Sequence, residues 1–228
     1  MPEEIPLFPL GSTVLFPGVL LPLHIFEPRY RDLVRDLKQL PDGQPRRFGV
    51  IAIKEGWEVG GPGQIASLHR TGCTAHVKRI NPHPDGRYDV IGIGTERFEL
   101  LSVDETSRSY LTGTVRWLEP DDEPRAEASL LAAMTGAMFG RYAAAVAGLQ
   151  GGDTDPLELP DNPAVLSYLI ASSALLSLAD RQSLLDESST VARLRLLARL
   201  LRRESLFVGK LRAVPVPLIE LGAPRSAN

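Results

Sequence analysis

The sequence IPLFPLGSTVLFPGVLLPLHIFEPRYRDLVR, residues 5–35, breaks short apolar runs with prolines and then opens a helix just after Pro28. A proline has no N–H group to donate to a strand ladder, so within a sheet it is confined to edge strands, strand starts and bulges. We therefore expect residues 5–35 to form the margin of a sheet or the rim of a barrel. The prolines that interrupt the apolar runs are Pro6, Pro9, Pro17 and Pro22.

Residues 5–35 also carry more large apolar side chains than one face of a strand can hide. A contiguous apolar surface that stays exposed usually marks an interaction site. Some of these side chains must therefore contact another part of the molecule or a partner.

Beyond this stretch, the pattern predicts short strands separated by turns rich in glycine and proline. Residues 29–40 place apolar side chains at helical spacing, and residues 48–53 are continuously apolar, as in a strand covered on both faces. Many short strands joined by such turns are typical of a small barrel or sandwich, here residues 1–119. Further strands are predicted from Cys73 and over residues 87–93, 96–101 and 111–118, with a loop over residues 56–63.

The composition changes at EPDDEP, residues 119–124, and the pattern beyond it is helical. Asn162 followed by Pro163 is typical of a helix start. We expect a helical bundle over residues 120–228 that ends in an extended tail, residues 205–221, packed back on the bundle or the barrel. The predicted helices cover residues 125–149, a segment from Asn162, residues 180–185 and residues 190–204.

Length, charge and cysteine content narrow the function classes. The 228 residues can bury a substantial core, in one large domain or two small ones. A formal net charge of -3 creates no global field that would attract a polyanion, so charge does not favour nucleic acid as a partner. Cys73 is the single cysteine, which excludes an internal disulfide and a multi-cysteine metal cluster and fits a reducing compartment.

The N-terminus and the apolar segments predict a cytoplasmic protein without a membrane partner. The chain begins MPEE, which is acidic where a secretory signal is basic. The longest uncharged helical window, residues 162–179, is shorter than the ~20 residues needed to span a bilayer. We expect this window to form a buried core helix.

Motifs of catalytic and cofactor sites are absent or incomplete. Neither the phosphate-binding pattern G-x-x-x-x-G-K-[ST] nor the serine elbow G-x-S-x-G occurs. Gly92-Ile93-Gly94 lacks the third glycine of a dinucleotide fingerprint, and we interpret these glycines as a bulge or strand bend. The sequence therefore predicts a protein that is not an enzyme and has no cofactor.

The histidines are scattered along the chain. They show neither the H-E-x-x-H pattern nor a carboxylate at ligand spacing, so the sequence predicts no metal site. We expect His24 to form a hydrogen bond beside the rim, and the others to lie on solvated strand faces or turns. The four histidines are His24, His69, His76 and His83.

Residues 191–203 carry five arginines and no acidic residue. Leu194, Leu197 and Leu201 recur at helical spacing, which favours an amphipathic helix whose arginines face solvent. The alternative is a basic surface for an acidic partner or nucleic acid. The arginines are Arg193, Arg195, Arg199, Arg202 and Arg203.

Several segments together match the pattern of a known family. PLFPL, VLFPG, LPLHIFEPRYRDLV and FGVIAI lie within residues 5–54, and GCTAHVKRI, DGRYDVIGIGTERFELL and the helices up to Glu204 follow more loosely. These segments resemble the N-terminal domain of the Lon proteases, including its stand-alone bacterial relatives. The resemblance implies an α+β fold, with a PUA-like β-barrel over residues 1–119 followed by an α-helical bundle over residues 120–228, which in the full protease engages polypeptide substrates.

The hypothesis that follows is non-catalytic recognition of polypeptide. Edge strands interrupted by proline leave backbone groups unpaired beside apolar side chains, so an extended or partly unfolded chain can add backbone hydrogen bonds there. The partner is either such a polypeptide or a separate protease or ATPase for which the chain acts as an adaptor. The predicted apolar contacts are Leu15, Phe16, Val19, Phe26 and Tyr30, and the predicted polar anchors are Arg29 and Arg97.

Two alternatives stay open. The same apolar residues can simply seal the barrel against the bundle. RNA binding is the alternative function, because the resemblance extends to PUA-like barrels, which in other families bind RNA. It would depend on Lys78, Arg79, Arg87 or the arginine helix, and its affinity would fall steeply with salt.

Glu27, Arg29 and Arg97 are charged residues that neighbour apolar ones. We expect a structural ion pair among the three, which is the usual way to place charge beside a core. Glu27 and Arg97 are each flanked by a phenylalanine, and we therefore take these two residues as the hypothetical pair.

Overall fold

Six strands and one helix make up the described part of the first of two compact units, Met1–Glu119. The second unit is Pro120–Asn228. The structure is a computed structural model that describes residues 2–54, 68–119, 125–149 and 158–211, so the loop predicted over residues 56–63 lies outside the described residues. The elements of the first unit are β1 (Glu3–Leu10), β2 (Leu20–Ile25), α1 (Pro28–Gln39), β3 (Arg47–Ala52), β4 (Thr71–Pro82), β5 (Tyr88–Asp104) and β6 (Thr112–Leu118).

The strand pairings of the first unit form a closed circuit. The sheet order is β2-β5-β4-β3-β1-β6, and β5 also pairs with β6, so the pairings run from β5 through β4, β3, β1 and β6 back to β5. β1 and β3 are parallel, and the other pairs are antiparallel. Among the described strands, β2 pairs with β5 alone, so it is the edge strand of this sheet.

β5 is one strand of 17 residues, whereas the sequence predicted two strands over residues 87–93 and 96–101. Its first half pairs with β2 and its second half with β6, while β4 pairs along both halves. The irregularity that the glycines indicated is found in the register with β4, which shifts between Cys73 and Ala75. Three steps along β5, from Arg97 to Gly94, oppose two steps along β4, so the extra residue lies on β5, which bulges next to Gly94 and continues as one strand.

β1 lies between β3 and β6, so it is not at the margin of the sheet, which was one of the two places predicted for residues 5–35. Residues 3–6 pair in register with β6 and residues 7–10 with β3, and each half contains one proline, Pro6 or Pro9. Each half thus has an in-register ladder on one side, which makes the missing N–H group tolerable. The prediction is confirmed for β2, which contains Pro22.

The core of the first unit combines side chains from β1, β3, β5 and β6 with the inner face of α1. The helix begins at Pro28 and ends at Gln39, within one residue of the predicted bounds. Proline is favoured at the first helical position because its missing N–H group would have no helical partner there. The buried residues of α1 are Tyr30, Leu33, Val34 and Leu37, and one core cluster contains Ile5, Leu7, Ile51, Ile53, Leu68, Phe98 and Val115.

The segment between β1 and β2 packs directly on Gly94 of β5. The N–H group of Gly94 donates to the carbonyl oxygen of Val19, and the N–H group of Gly18 donates to that of Gly94, both at 2.8 Å. A Cβ atom on Gly94 would lie 2.8 Å from the carbonyl carbon of Phe16 and closer still to its oxygen. The missing side chain therefore lets this segment pack against the sheet, and the Phe16 side chain is completely buried.

The second unit contains helices α2 (Arg125–Leu149), α3 (Pro163–Ser173), α4 (Leu178–Asp186) and α5 (Thr190–Leu211) in its described part. As predicted, α3 starts after Asn162, whose side chain accepts hydrogen bonds from the N–H groups of Ala164 and Val165. The prediction of one core helix over residues 162–179 is wrong, because α3 ends at Ser173 and Ser177 caps the start of α4.

α5 extends beyond its predicted end at Glu204 to Leu211. Residues 205–211 of the predicted extended tail are therefore helical. The rest of that tail lies outside the described residues. The helix can reach Leu211 because the first proline of the tail is Pro215, and a proline ends a helix only near its own position.

Helix α2 is the one described helix that is long and apolar enough to cross a membrane by length and composition, over Ala126–Leu149. It is not among the uncharged windows of the sequence, because Glu127 and Arg141 interrupt its apolar residues. The core helix of a soluble protein passes the same test, so this property is weak evidence for a membrane segment.

Arg193 of α5 is buried, and the prediction that all arginines of this helix face solvent is wrong for this residue. Its guanidinium group donates to the Ser167 hydroxyl at 2.8 Å, to the Glu187 carbonyl at 2.7 Å and to the Thr190 hydroxyl at 3.0 Å. It also stacks over the ring of Tyr168, 4.1 Å from the centroid. Arg193 thus joins α3 and α5 from the inside.

Replacing Gly94 by alanine should destabilise the protein, because the added methyl group would overlap the backbone of Phe16. We expect the free energy of unfolding to fall by at least about 2 kcal/mol, the scale of overpacking in a core. Urea unfolding of the purified variant measures this change. Gly11→Ala is the matched control, since a Cβ atom there meets nothing within 4 Å; equal stabilities for the two variants would contradict this account.

Arg193→Ala should lower the free energy of unfolding by roughly 2–4 kcal/mol, because three polar groups lose a charged donor in a buried place. Arg195→Ala serves as the control on the same helix, where the side chain is 61% exposed and pairs with Glu127. An exposed ion pair contributes at most about 1 kcal/mol. A thermal or urea unfolding series that ranked Arg195→Ala as the more harmful change would refute the assignment.

Candidate functional site

A groove of about 320 Å³ lies between the end of β1, the edge strand β2 and the first turn of α1. Proline at the start of α1 places the helix directly after β2, so one short segment supplies both an edge strand and a helix start. The described residues that line the groove are Phe8, Pro9, Leu10, Leu23, His24, Ile25, Phe26, Glu27, Arg29, Tyr30 and Ile53.

β2 offers the groove both a polypeptide edge and apolar side chains. Its side chains alternate, with Leu21 and Ile25 buried and Leu20, Pro22 and His24 exposed. It pairs with β5 on one side and ends the sheet order. An edge strand of this kind is a template for a further strand from another chain.

Aromatic rings form the floor and the rim of the groove. The Phe8 ring lies 4.2 Å from the Tyr30 ring and 5.7 Å from the Phe48 ring, measured between centroids. Phe26 lies at the rim, and 61% of its surface is exposed. A large aromatic ring that stays exposed beside an apolar floor is a typical anchor point for a partner.

Charge in the groove comes from the ion pair of Glu27 and Arg29. The Arg29 guanidinium donates to the Glu27 carboxylate at 2.9 and 2.7 Å and lies over the Tyr30 ring, 4.7 Å from its centroid. Burial raises the pKa of the Tyr30 hydroxyl to about 12, so this group stays protonated at neutral pH. The groove therefore presents a carboxylate, a guanidinium group and an apolar floor within a few residues.

The structure brings together three of the seven predicted site residues. Phe26, Arg29 and Tyr30 line the groove, although Tyr30 is 5% exposed and contributes to its floor. Val19 is half-buried, and its carbonyl group accepts from Gly94. An ion pair was predicted among Glu27, Arg29 and Arg97, with Glu27 and Arg97 as the hypothetical partners; the pair that the structure shows is Glu27 with Arg29.

Three of the predicted site residues are buried and offer almost no surface to a partner, namely Leu15, Phe16 and Arg97. They are 3%, 0% and 4% exposed, respectively. Leu15 and Phe16 are buried because their segment packs against the sheet at Gly94. Arg97 is buried because it lies on β5 between β4 and β6, opposite Cys73 and Leu118.

The groove includes residues that the sequence analysis did not select, among them Phe8, Leu23 and Ile25. The sequence shows that these residues are apolar, but the pairing of the strands decides which of them lie together in the groove. Among the described lining residues none is a serine, threonine, cysteine or lysine. Cys73 is buried in β4, and burial raises the pKa of its thiol to about 12, which makes it a poor nucleophile at neutral pH.

His24, His83 and Asp89 lie together beside the groove, although the sequence analysis treated the histidines as scattered. Strand pairing puts His24 directly opposite Asp89, and the turn between β4 and β5 returns His83 to the same place. Hydrogen bonds from the two imidazoles hold the pKa of the Asp89 carboxyl below its ordinary value. No spacing in the sequence signals this cluster, because its members meet across strands.

The second unit has its own apolar surface, between α2 and α5. It encloses about 800 Å³, and Met134 and Leu206 on it are 54% and 57% exposed. Methionine side chains adapt to irregular partners, which is common at promiscuous binding surfaces. The described residues that line this surface are Met134, Ala137, Met138, Arg141, Ala145, Arg202, Ser205 and Leu206.

Comparison with known proteins assigns the family. The family model described as the ATP-dependent protease La (LON) substrate-binding domain matches residues 4–203. The chain therefore belongs to this family of substrate-binding domains, as the resemblance implied.

Curated relatives are Lon proteases. Lon protease 1 of Herpetosiphon aurantiacus is 29% identical over 207 residues, which are 90% of this chain and 25% of that protein. Lon protease of Escherichia coli is 25% identical over 201 residues, 88% of this chain and 25% of that protein. Lon protease of Parabacteroides distasonis is 37% identical over 123 residues, 54% of this chain. The chain spans about a quarter of the length of the first two relatives.

Solved structures show the same fold. A Lon N-terminal domain protein from Xanthomonas campestris is 30% identical with a TM-score of 0.62, covering 86% of this chain and 98% of that chain. The N-terminal domain of the Mycobacterium avium complex Lon protease has a TM-score of 0.61 at 16% identity, covering 88% and 98%. The α+β class predicted from the sequence is confirmed.

Proposed function

We propose that this chain recognises extended or partly unfolded polypeptide without catalysing a reaction, and that the groove beside β2 is the site. The observation that carries this proposal is the edge strand β2, with an exposed Phe26 at its end. Membership of the LON substrate-binding family supports it. We further propose that residues 1–119 are a PUA-like barrel, which the closed circuit of pairings supports, and that the helices of residues 120–228 are a bundle.

Binding would start with backbone hydrogen bonds along the edge of β2. An extended chain that adds to this edge places every second side chain toward the groove, where Phe8, Ile25 and Phe26 offer apolar contacts. Glu27 and Arg29 can exchange part of their mutual ion pair for a backbone N–H or carbonyl group of the guest chain. Main-chain recognition of this kind accepts many sequences, which suits a domain that handles unfolded proteins.

The partner that would use this recognition is a Lon protease or another ATP-dependent protease. The relatives of this chain carry that name, and the chain corresponds to about a quarter of their length. A polypeptide held at β2 would be delivered to the ATPase and protease parts of such an enzyme. We place this activity in the cytoplasm.

RNA binding is disfavoured by the contacts of the arginines that it would need. Arg87 pairs with Asp85, and Arg79 donates to Asn81. On α5, Arg203 pairs with both Asp180 and Glu204, while Arg193 is buried. Part of the basic surface that RNA binding would use is therefore already paired or buried.

Phe26→Asp should weaken polypeptide binding at least about tenfold, because burial of one phenylalanine contributes roughly 1.5–3 kcal/mol. Fluorescence anisotropy with labelled, reduced and carboxymethylated α-lactalbumin, a permanently unfolded chain, measures the affinity. Phe26 is exposed in the free protein, so the variant should keep its circular dichroism spectrum. Leu101→Asp is the matched control, since Leu101 is 44% exposed on β5 outside the groove.

Two results would contradict the groove assignment. One is unchanged affinity of Phe26→Asp together with a loss in Met134→Asp, which would move the site to the surface between α2 and α5. The other is tighter binding of a labelled single-stranded RNA than of the unfolded polypeptide, with affinity that falls steeply as salt rises. Apolar recognition should instead change little with salt.

A further inference from the structure

Two imidazoles and a carboxylate converge on the surface of the first unit. The Nδ1 atom of His24 is 2.7 Å from Oδ1 of Asp89, and the Nε2 atom of His83 is 2.7 Å from Oδ2 of the same carboxylate. The three possible ligand atoms all lie within 4.8 Å of one another. Each residue is partly exposed, so a small ion can reach these atoms from solvent.

We propose that His24, His83 and Asp89 bind a zinc ion. Imidazole nitrogen and carboxylate oxygen are zinc donors, and three protein ligands with an open fourth position are an established zinc arrangement. Zinc bonds of about 2.0–2.1 Å place neighbouring ligand atoms of a tetrahedral site roughly 3.3 Å apart. The two imidazoles contact different oxygens of Asp89 at 2.7 Å, so these distances would widen slightly, and the ligand atoms, which lie within 4.8 Å of one another, would draw together on one ion.

The backbone holds the three ligands near each other before any ion binds. His24 and Asp89 are direct partners in the ladder between β2 and β5. His83 is fixed in the turn, where its N–H group donates to the Arg87 carbonyl at 2.8 Å and its carbonyl accepts from Gly86 at 3.0 Å. Gly86 has a φ of 81°, which closes this turn at little cost for a residue without a side chain. The backbone positions of the three ligands are therefore largely set before an ion binds.

Arg87 is the group that competes with the ion. Its Nη1 atom lies 3.2 Å from Nε2 of His24, while its Nε atom donates to Asp85 at 2.6 Å. Zinc on Nδ1 of His24 requires the ring proton on Nε2, so that nitrogen can no longer accept from Arg87. The Arg87 guanidinium would then keep Asp85 as its partner and leave the imidazole.

Isothermal titration of the purified chain, without a histidine tag, with zinc chloride tests the site. We expect one zinc ion per chain, and no binding of magnesium, because magnesium prefers oxygen ligands. His83→Ala and Asp89→Asn should each weaken zinc binding at least about tenfold, since even outer partners of a metal site are worth that much. Cobalt bound in place of zinc should show the visible absorption of a tetrahedral site in the wild type but not in these two variants.

His76→Ala is the matched control, because His76 is a partly exposed histidine on β4 outside the cluster. Its zinc affinity should equal that of the wild type, and zinc should raise the melting temperature of both proteins but not that of His83→Ala. Failure of the wild type to bind zinc would overturn the proposal. Equal loss of binding in His76→Ala and His83→Ala would also overturn it. Neither result bears on polypeptide binding, which the Phe26→Asp comparison tests separately.

Discussion

The close contact between Gly94 and the backbone of Phe16 is the constraint on which the first unit depends. It lets the segment after β1 pack against β5, with Phe16 completely buried. β2 then begins just beyond this contact and pairs with the first half of β5, which leaves the second half to β6. Any side chain at this position would force the segment away from the sheet and disturb the start of β2.

The pairing of β2 with β5 produces both features that we connect with binding. On one side it leaves β2 as an edge strand beside a groove with an aromatic floor. Across the ladder it sets His24 opposite Asp89, near enough to His83 for the three side chains to share one place. A single strand pairing thus supports a surface for polypeptide and a set of metal donors, which can be tested independently.

Burial decides the role of the charged and aromatic residues in this protein. Arg193 and Arg195 are two positions apart on α5, yet the first is buried and donates to three oxygens, while the second forms an exposed ion pair. Phe16 and Phe26 differ in the same way, since one is completely buried and the other is 61% exposed. From residue type and spacing alone, both arginines were expected to face solvent and both phenylalanines to contact a partner.

The sequence by itself determined the family, the α+β class and the positions of most elements, because proline positions and apolar periodicity act over a few neighbouring residues. It therefore located α1 and the start of α3 closely, and it selected Phe26, Arg29 and Tyr30. Only the tertiary structure decided that β1 lies inside the sheet, that β5 is continuous, that Leu15, Phe16 and Arg97 are buried, and that His24, His83 and Asp89 meet. These outcomes depend on which distant strands pair and in what register, and a local pattern carries no information about that choice.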